Sequence, residues 1–319
     1  MTKNMSRLHK FIKSIPMAMP GIALALAALG NLILPAFEHG RTIRYICGVL
    51  SVIILCIFAL KLIFDRAHAA EELKTPVPLS VLPTATMAIM LLSTYIRPHI
   101  AGVALIIWYA AVITHVAIML WFAVRFVAKL KLANVFPSWF IAGVGIVAAS
   151  VTAPAMDALW IGQAAFWAGF VLYWVLLPLV LLRMAKVRVF PEPARKTIAI
   201  FTAPMSLLVV GYFSSFVTQG QGNDAITYLL LAMAAASYVF VLIMTPFLLK
   251  IRFYPTYAAF TFPYVISAIA FRLGANFLHA RHDLPILPHI ANATMWIAIA
   301  VVVFVLGHYV KYFRFWLRY

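Results

Sequence analysis

Few residues in this chain could do acid–base, metal or nucleophilic chemistry. The acidic residues are Glu38, Asp65, Glu71, Glu72, Asp157, Glu192, Asp224 and Asp283, and all lie at or near the ends of apolar segments. His115 is the one histidine deep inside such a segment. A proton relay in a membrane needs a carboxylate close by, and no apolar segment offers one. A hydrogen-bonded structural role suits His115 better. His308 sits at the far end of the last apolar segment, so it is badly placed to pair with His115 around a haem. Cys47 and Cys56 are nine residues apart. That is about two and a half turns of helix, which puts them on opposite faces. No phosphate-binding glycine loop, zinc motif or nucleophile elbow occurs. The expectation is a protein that is not an enzyme and has no metal or cofactor.

Neutral chemistry remains. Hydroxyls recur in the apolar segments, among them Thr84, Thr86, Ser150, Thr152, Ser206, Ser214, Thr261 and Ser267. Most should bond to the preceding turn of their own helix. Thr86, Ser150, Ser206, Thr261 and Ser267 are the candidates for lining a pore. Arg272 is a candidate for an anion-attracting mouth, or for a side chain that snorkels to the interface. A bulky ring also stands directly before a mid-segment proline, at Phe262-Pro263.

The elements that carry these residues are membrane spans. Of 319 residues, 65% are hydrophobic and 10% charged. This is the composition of a multi-pass membrane protein. The net charge of +17 comes from Lys and Arg that punctuate apolar runs and form no stripe, which argues against nucleic acid as a partner. About 20 apolar residues cross the hydrocarbon layer. Ten runs qualify: Ile15 to Ala36, Thr42 to Phe64, Leu79 to Ile96, Ile100 to Val124, Val135 to Pro154, Ala158 to Leu182, Thr197 to Thr218, Ala225 to Leu249, Pro255 to His279 and Leu287 to Val310. The expectation is one transmembrane domain over residues 1–319. A basic segment, 1–14, precedes it and a tail, 312–319, follows. The first run is long and ends in no cleavage site, so it reads as an uncleaved span.

With ten spans, 20 of the 25 Lys and Arg residues fall on one side. Only Arg41, Arg44, Arg97, Arg272 and Arg281 fall on the other. Cytoplasmic loops carry the basic excess, so both termini are expected in the cytoplasm and the protein in the plasma (inner) membrane.

Prolines show a repeat. Pro20, Pro83, Pro204 and Pro263 fall within odd spans, separated by 63, 121 and 59 residues. The middle gap is twice the others, and Gly143 and Gly145 stand where a further break is due. Proline kinks a helix by removing a hydrogen bond and crowding the preceding turn. The expectation is five helical hairpins of about 60 residues, an internal repetition common in transport folds. The kinked odd helices, with Pro20, Pro83, Gly143, Gly145, Pro204 and Pro263 at the kinks, form an inner ring around a pore. The even helices form an outer ring. Phe262 precedes a kink proline, so its backbone should be pushed from helical values. Its ring should point at the axis and block it. A lumen with hydroxyls and no carboxylates suits anions.

Four motifs carry a resemblance. Leu82-Pro83-Thr84-Ala85-Thr86-Met87, Pro137-Ser138-Trp139-Phe140, Ala203-Pro204 with Gly211-Tyr212-Phe213-Ser214, and Ala259-Phe260-Thr261-Phe262 occur in that order. The chain resembles the tellurite-resistance/dicarboxylate transporter family over nearly its whole length. That family includes the bacterial TehA proteins and the plant slow-type anion channels. The resemblance implies a homotrimer, each subunit having a pore of five inner helices closed by a phenylalanine on span nine, here Phe262. The chain departs from TehA-like members at Met19-Pro20-Gly21, where an aromatic–glycine pair is usual, and in span five, where glycines replace a proline. The function expected is passive permeation of small monovalent anions such as chloride and nitrate across the lipid bilayer. The alternatives are an exporter or permease for tellurite, sulfite or a C4-dicarboxylate, and a membrane scaffold or sensor that does not conduct.

Overall fold

The computed structural model describes residues 9–187 and 190–318, the side chains of 316–318 excepted. Lys3, Arg7, Arg188 and the Arg318 side chain, which enter the charge-asymmetry argument, lie outside the described residues. The described residues form helices joined by short turns, with no strand. The chain is an all-helical, multi-pass membrane protein.

Eight helices are long and apolar enough to cross a membrane. Five are exposed along most of their surface: α2 (Gly40–Phe64), α6 (Ala101–Phe122, continued by a π turn at Ala123–Val127), α9 (Leu159–Lys186), α12 (Asp224–Leu249) and α14 (Ile286–Arg318). Between 22 and 33% of their most apolar windows is buried. The other three long segments, Pro76–Ile96, Glu192–Gln219 and Pro255–His282, are 78, 83 and 72% buried. Two shorter apolar helical segments, Pro20–Ile33 and Val147–Met156, are buried almost throughout.

The buried segments are broken. The first begins as α1 (Pro20–Ile33), after a turn in which Met19, Gly21 and Ile22 each donate to a carbonyl three residues back. After the surface helix α3 (Arg66–Glu72), the second is split into α4 (Pro76–Val81) and α5 (Pro83–Ile96). The third is split into α7 (Trp139–Val144) and α8 (Val147–Thr152). A single turn of helix, α10 (Glu192–Arg195), leads into the fourth, where the 3₁₀ turn Lys196–Phe201 runs into α11 (Thr202–Ser215). In the fifth, Pro255–Phe260 runs as 3₁₀ helix into α13 (Thr261–His282).

The prolines are not kinks in continuous α-helix. Pro20 and Pro83 open α1 and α5, while Pro204 and Pro263 lie in the first turns of α11 and α13. The first-turn N–H groups of a helix have no partner within it, so proline loses nothing there. The break lies just before each proline. Proline is also found inside two exposed helices, at Pro178 in α9 and Pro246 in α12.

Each buried half-helix packs on the exposed helix that follows it: α1 on α2, α5 on α6, α8 on α9, α11 on α12 and α13 on α14. The buried helices also pack on one another in a closed cycle, α1–α5–α8–α11–α13 and back to α1. Small residues allow this closeness. A Cβ on Gly143 would come within 2.8 Å of Leu176 Cδ1 on α9, so the two helices pack closely there. Residues 312–318, expected as a tail, continue α14 without a break. No proline follows Pro288 to stop that helix. Cys47 is buried and Cys56 exposed, as opposite helix faces require.

Candidate functional site

The five breaks meet around a cavity. Its wall takes residues from every buried segment: Ala18 and Gly21, Val81 and Thr84, Val144 and Gly145, Ala203 and Pro204, Phe262 and Pro263. The wall is nearly all apolar. Among the described lining residues the hydroxyl side chains are Thr84, Thr197 and Thr256, and each donates to a protein carbonyl: Thr84 to Val81, Thr197 to Ala194 and Thr256 to Pro193. No charged side chain stands among the described lining residues.

Phe262 is buried and lines this cavity. Its backbone is helical, which corrects the expectation that Pro263 pushes it from helical values. The change of backbone comes earlier, where 3₁₀ helix gives way to α-helix at Thr261. The Thr261 hydroxyl lies 2.7 Å from the Ala258 carbonyl and 3.3 Å from that of Gly21, tying the start of α13 to α1. Phe140 is the other phenylalanine in the wall. It stacks on Tyr173 at 5.6 Å and meets Phe201 edge-on at 5.7 Å. No ring contact holds Phe262 among the described residues.

Of the kink residues, Gly145, Pro204 and Pro263 line the cavity, and Pro20, Pro83 and Gly143 do not. The candidate hydroxyls Thr86, Ser150, Ser206, Thr261 and Ser267 lie between helices, outside the wall. Ser267 Oγ joins Thr202 (2.9 Å) and Ser206 (2.8 Å) across the α11–α13 contact, and also donates to its own Pro263 carbonyl. Ser150 and Ser215 bond to each other across α8–α11. Thr86 faces α6, with its hydroxyl 2.8 Å from His115 Nδ1. A hydroxyl in a helix interface lets two backbones approach and still have its polar group satisfied.

Arg272 is half-buried, with its guanidinium held by protein groups. It donates from Nη1 to the Leu32 carbonyl at 2.5 Å and from Nη2 to Met295 Sδ at 3.0 Å. Leu32 is in the last turn of α1, where the carbonyls lack helical partners. At the same end, Arg97 pairs with Asp157, and Arg281 with Asp224 at 2.9 Å. Two buried lysines are functional candidates that the sequence reading treated only as topology signals. Lys61 Nζ is 2.6 Å from Glu72 Oε2 and donates to the Ile15 carbonyl. Lys196 Nζ lies 3.2 Å from the centre of the Tyr257 ring and donates to the carbonyls of Leu248 and Ile251. It directly precedes the cavity residue Thr197. Nothing in the spacing marks either lysine as buried, because each stands at a span end, where exposed lysines are usual.

A comparison with curated proteins returned no match. The family model described as voltage-dependent anion channel (SLAC1) matches residues 11–310. Members of that family are channels and transporters rather than enzymes. The match takes in the cavity, the cycle of broken helices and the helices packed outside it, and the chain belongs to the voltage-dependent anion channel family.

Proposed function

We propose that this chain conducts small monovalent anions, chloride and nitrate among them, passively through a pore along the axis of the five-helix cycle. Phe262 closes that pore. The observation that carries the reading is the cavity itself, an uncharged space at the breaks of five buried helices with Phe262 in its wall. The chain is read as ten spans arranged as five hairpins in a single domain, the buried segments inside and the exposed helices outside. Both termini are cytoplasmic, and three copies form the working unit in the plasma (inner) membrane.

Three physical arguments support anions. The α-helical parts α1, α5, α11 and α13 all begin at the cavity, so the positive ends of their dipoles lie at its wall. No carboxylate stands among its described lining residues to hold a cation. The basic excess on the cytoplasmic side concentrates anions at that mouth. A nearly apolar wall replaces little of an ion's hydration, so weakly hydrated anions should pass most easily. A phenyl ring across the path replaces none and stops conduction.

Anion-replacement currents in planar bilayers test the reading. Ohmic currents whose reversal follows the anion gradient are expected. Uptake that requires a proton gradient, with no such current, would mean a coupled exporter or permease. A lack of both would favour a scaffold or sensor.

A further inference from the structure

The cavity is open at one end. Its lining residues Ala18, Val77, Ile141, Thr256 and Ala259 are half-exposed, and each lies before the break in its segment. Leu24, Met87, Leu207 and Phe262 lie beyond the breaks and are buried. The space is therefore a blind pocket, entered from the starts of the buried segments and shut at the end where Phe262 stands. Along the fourth segment its wall runs from Thr197 to Leu207, a stretch of 3₁₀ and α-helix about 15–20 Å long.

Wall and rim differ in character. In the wall, Thr84, Thr197 and Thr256 have already given their protons to protein carbonyls. A water molecule needs two to four polar partners to settle, so water is poorly held there and an alkyl chain displaces it readily. The rim is basic. Lys13, Lys74, Arg195 and Arg252 are exposed on the stretches that lead into the wall. Lys74 pairs with Glu71, and Arg252 lies 3.9 Å from Glu192. Lys13 and Arg195 form no ion pair among the described residues, so the rim keeps a net positive charge. The positive ends of four inner helices lie at the wall behind it.

We propose that this pocket binds a medium-chain aliphatic monocarboxylate, chain inside and carboxylate at the basic rim, and that the bound ligand blocks the pore. The block rests on reading the cavity as the anion pathway, whereas the binding does not. The chain loses contact with water along the apolar wall, and the carboxylate stays hydrated beside Lys13 and Arg195. A second carboxylate at the far end of the chain would lie among Leu24, Met87 and Leu207 with no partner, which is very costly. The pocket thus separates a monocarboxylate from a dicarboxylate of equal length.

Two measurements test this on the full-length protein. The first is calorimetric binding of butanoate, hexanoate, octanoate and suberate in phosphatidylcholine nanodiscs, with empty discs subtracted. Affinity should rise about 15-fold for every two methylenes added, from about 0.8 kcal/mol for each buried methylene. Suberate, the dicarboxylate as long as octanoate, should bind at least about 100-fold more weakly than octanoate. Val81→Thr, which is nearly isosteric, and Leu207→Asn put polar groups in the wall and should each weaken octanoate about 5-fold or more. Arg195→Gln should weaken all three monocarboxylates by one common factor of about 2–5. Octanoate no tighter than butanoate, suberate as tight as octanoate, or wild-type affinity in both wall variants overturns the proposal. The second measurement is octanoate on Phe262→Ala currents, where block is expected from the side that bears the basic rim. Binding without block in a conducting Phe262→Ala protein overturns the blocking role. Binding as expected in a protein that passes no anion supports the site and counts against the channel reading.

Discussion

The helices of this protein divide into two groups that solve opposite problems. The exposed helices α2, α6, α9, α12 and α14 are the more apolar, and 22 to 33% of their most apolar windows is buried. The long segments of the inner cycle are less apolar and 72 to 83% buried. In a water-soluble protein the order would be reversed. Lipid is an apolar solvent, so the outside must be apolar all round. The inside is free to hold hydroxyls, glycines, prolines and broken backbone, provided every polar group finds a partner. The inner helices use that freedom. Ser267 bridges two hydroxyls, and Ser150 and Ser215 pair across a contact. The breaks open a space that straight helices would fill.

Matched substitutions in the two groups should separate them sharply. The largest difference is expected for isoleucine. Ile22 on α1 is 1% exposed and Ile106 on α6 is 71% exposed. Ile22→Ala should destabilise by about 2–5 kcal/mol, the range for cavities in packed cores, and Ile106→Ala by no more than about 0.5 kcal/mol. Thermal unfolding in detergent measures both, and equal losses would break the comparison.

Glycine comes next. A Cβ at Gly211 on α11 would lie 2.6 Å from Val147 Cγ1, whereas one at Gly307 on α14 would meet nothing within 4 Å. Gly211→Ala should cost about 1–3 kcal/mol through overpacking. Gly307→Ala should gain about 0.5–1 kcal/mol, because alanine loses less backbone entropy in a helix. A Gly307→Ala protein no more stable than wild type would mean that another copy of the chain covers that face.

Among the inner-cycle substitutions the smallest loss is expected at Ser267. Ser267→Ala leaves Thr202 and Ser206 without their shared partner and should cost about 1–2 kcal/mol. Anion selectivity should not change, since Ser267 is not in the cavity wall. A change in selectivity on bilayer recording would place that hydroxyl in the pathway after all.

Much of the fold was legible in the sequence. The apolar runs predicted the long helices to within a few residues at most ends, as with Pro255 to His279 against Pro255–His282. The proline spacing marked the segments that pack inward. The breaks were placed slightly late, because proline reads as the cause of a kink when here it opens the helix after one. The facing of the hydroxyls was not legible. Thr84 lines the cavity while Thr86, two residues on, faces His115. Such facings depend on how each helix is turned about its own axis, and hydrophobic periodicity cannot report that when both lipid and core are apolar. Buried Lys61 and Lys196 were hidden for a different reason. What holds them comes from residues distant in sequence: Ile15 for Lys61, and Leu248, Ile251 and Tyr257 for Lys196. Proline context and motif single out Phe262 among 24 phenylalanines in the sequence, and the structure puts it in the cavity wall.

The central claim is that a phenyl ring at position 262 stops anions in an otherwise continuous path. It is tested most directly by recording Phe262→Ala in planar bilayers, with Phe262→Leu beside it and the thermal stability of both measured. The account predicts a large constitutive anion current for Ala, a smaller one for Leu because its side chain fills more of the gap, and folded protein in both cases. A Phe262→Ala protein that is folded and stable but passes no more current than wild type would contradict it.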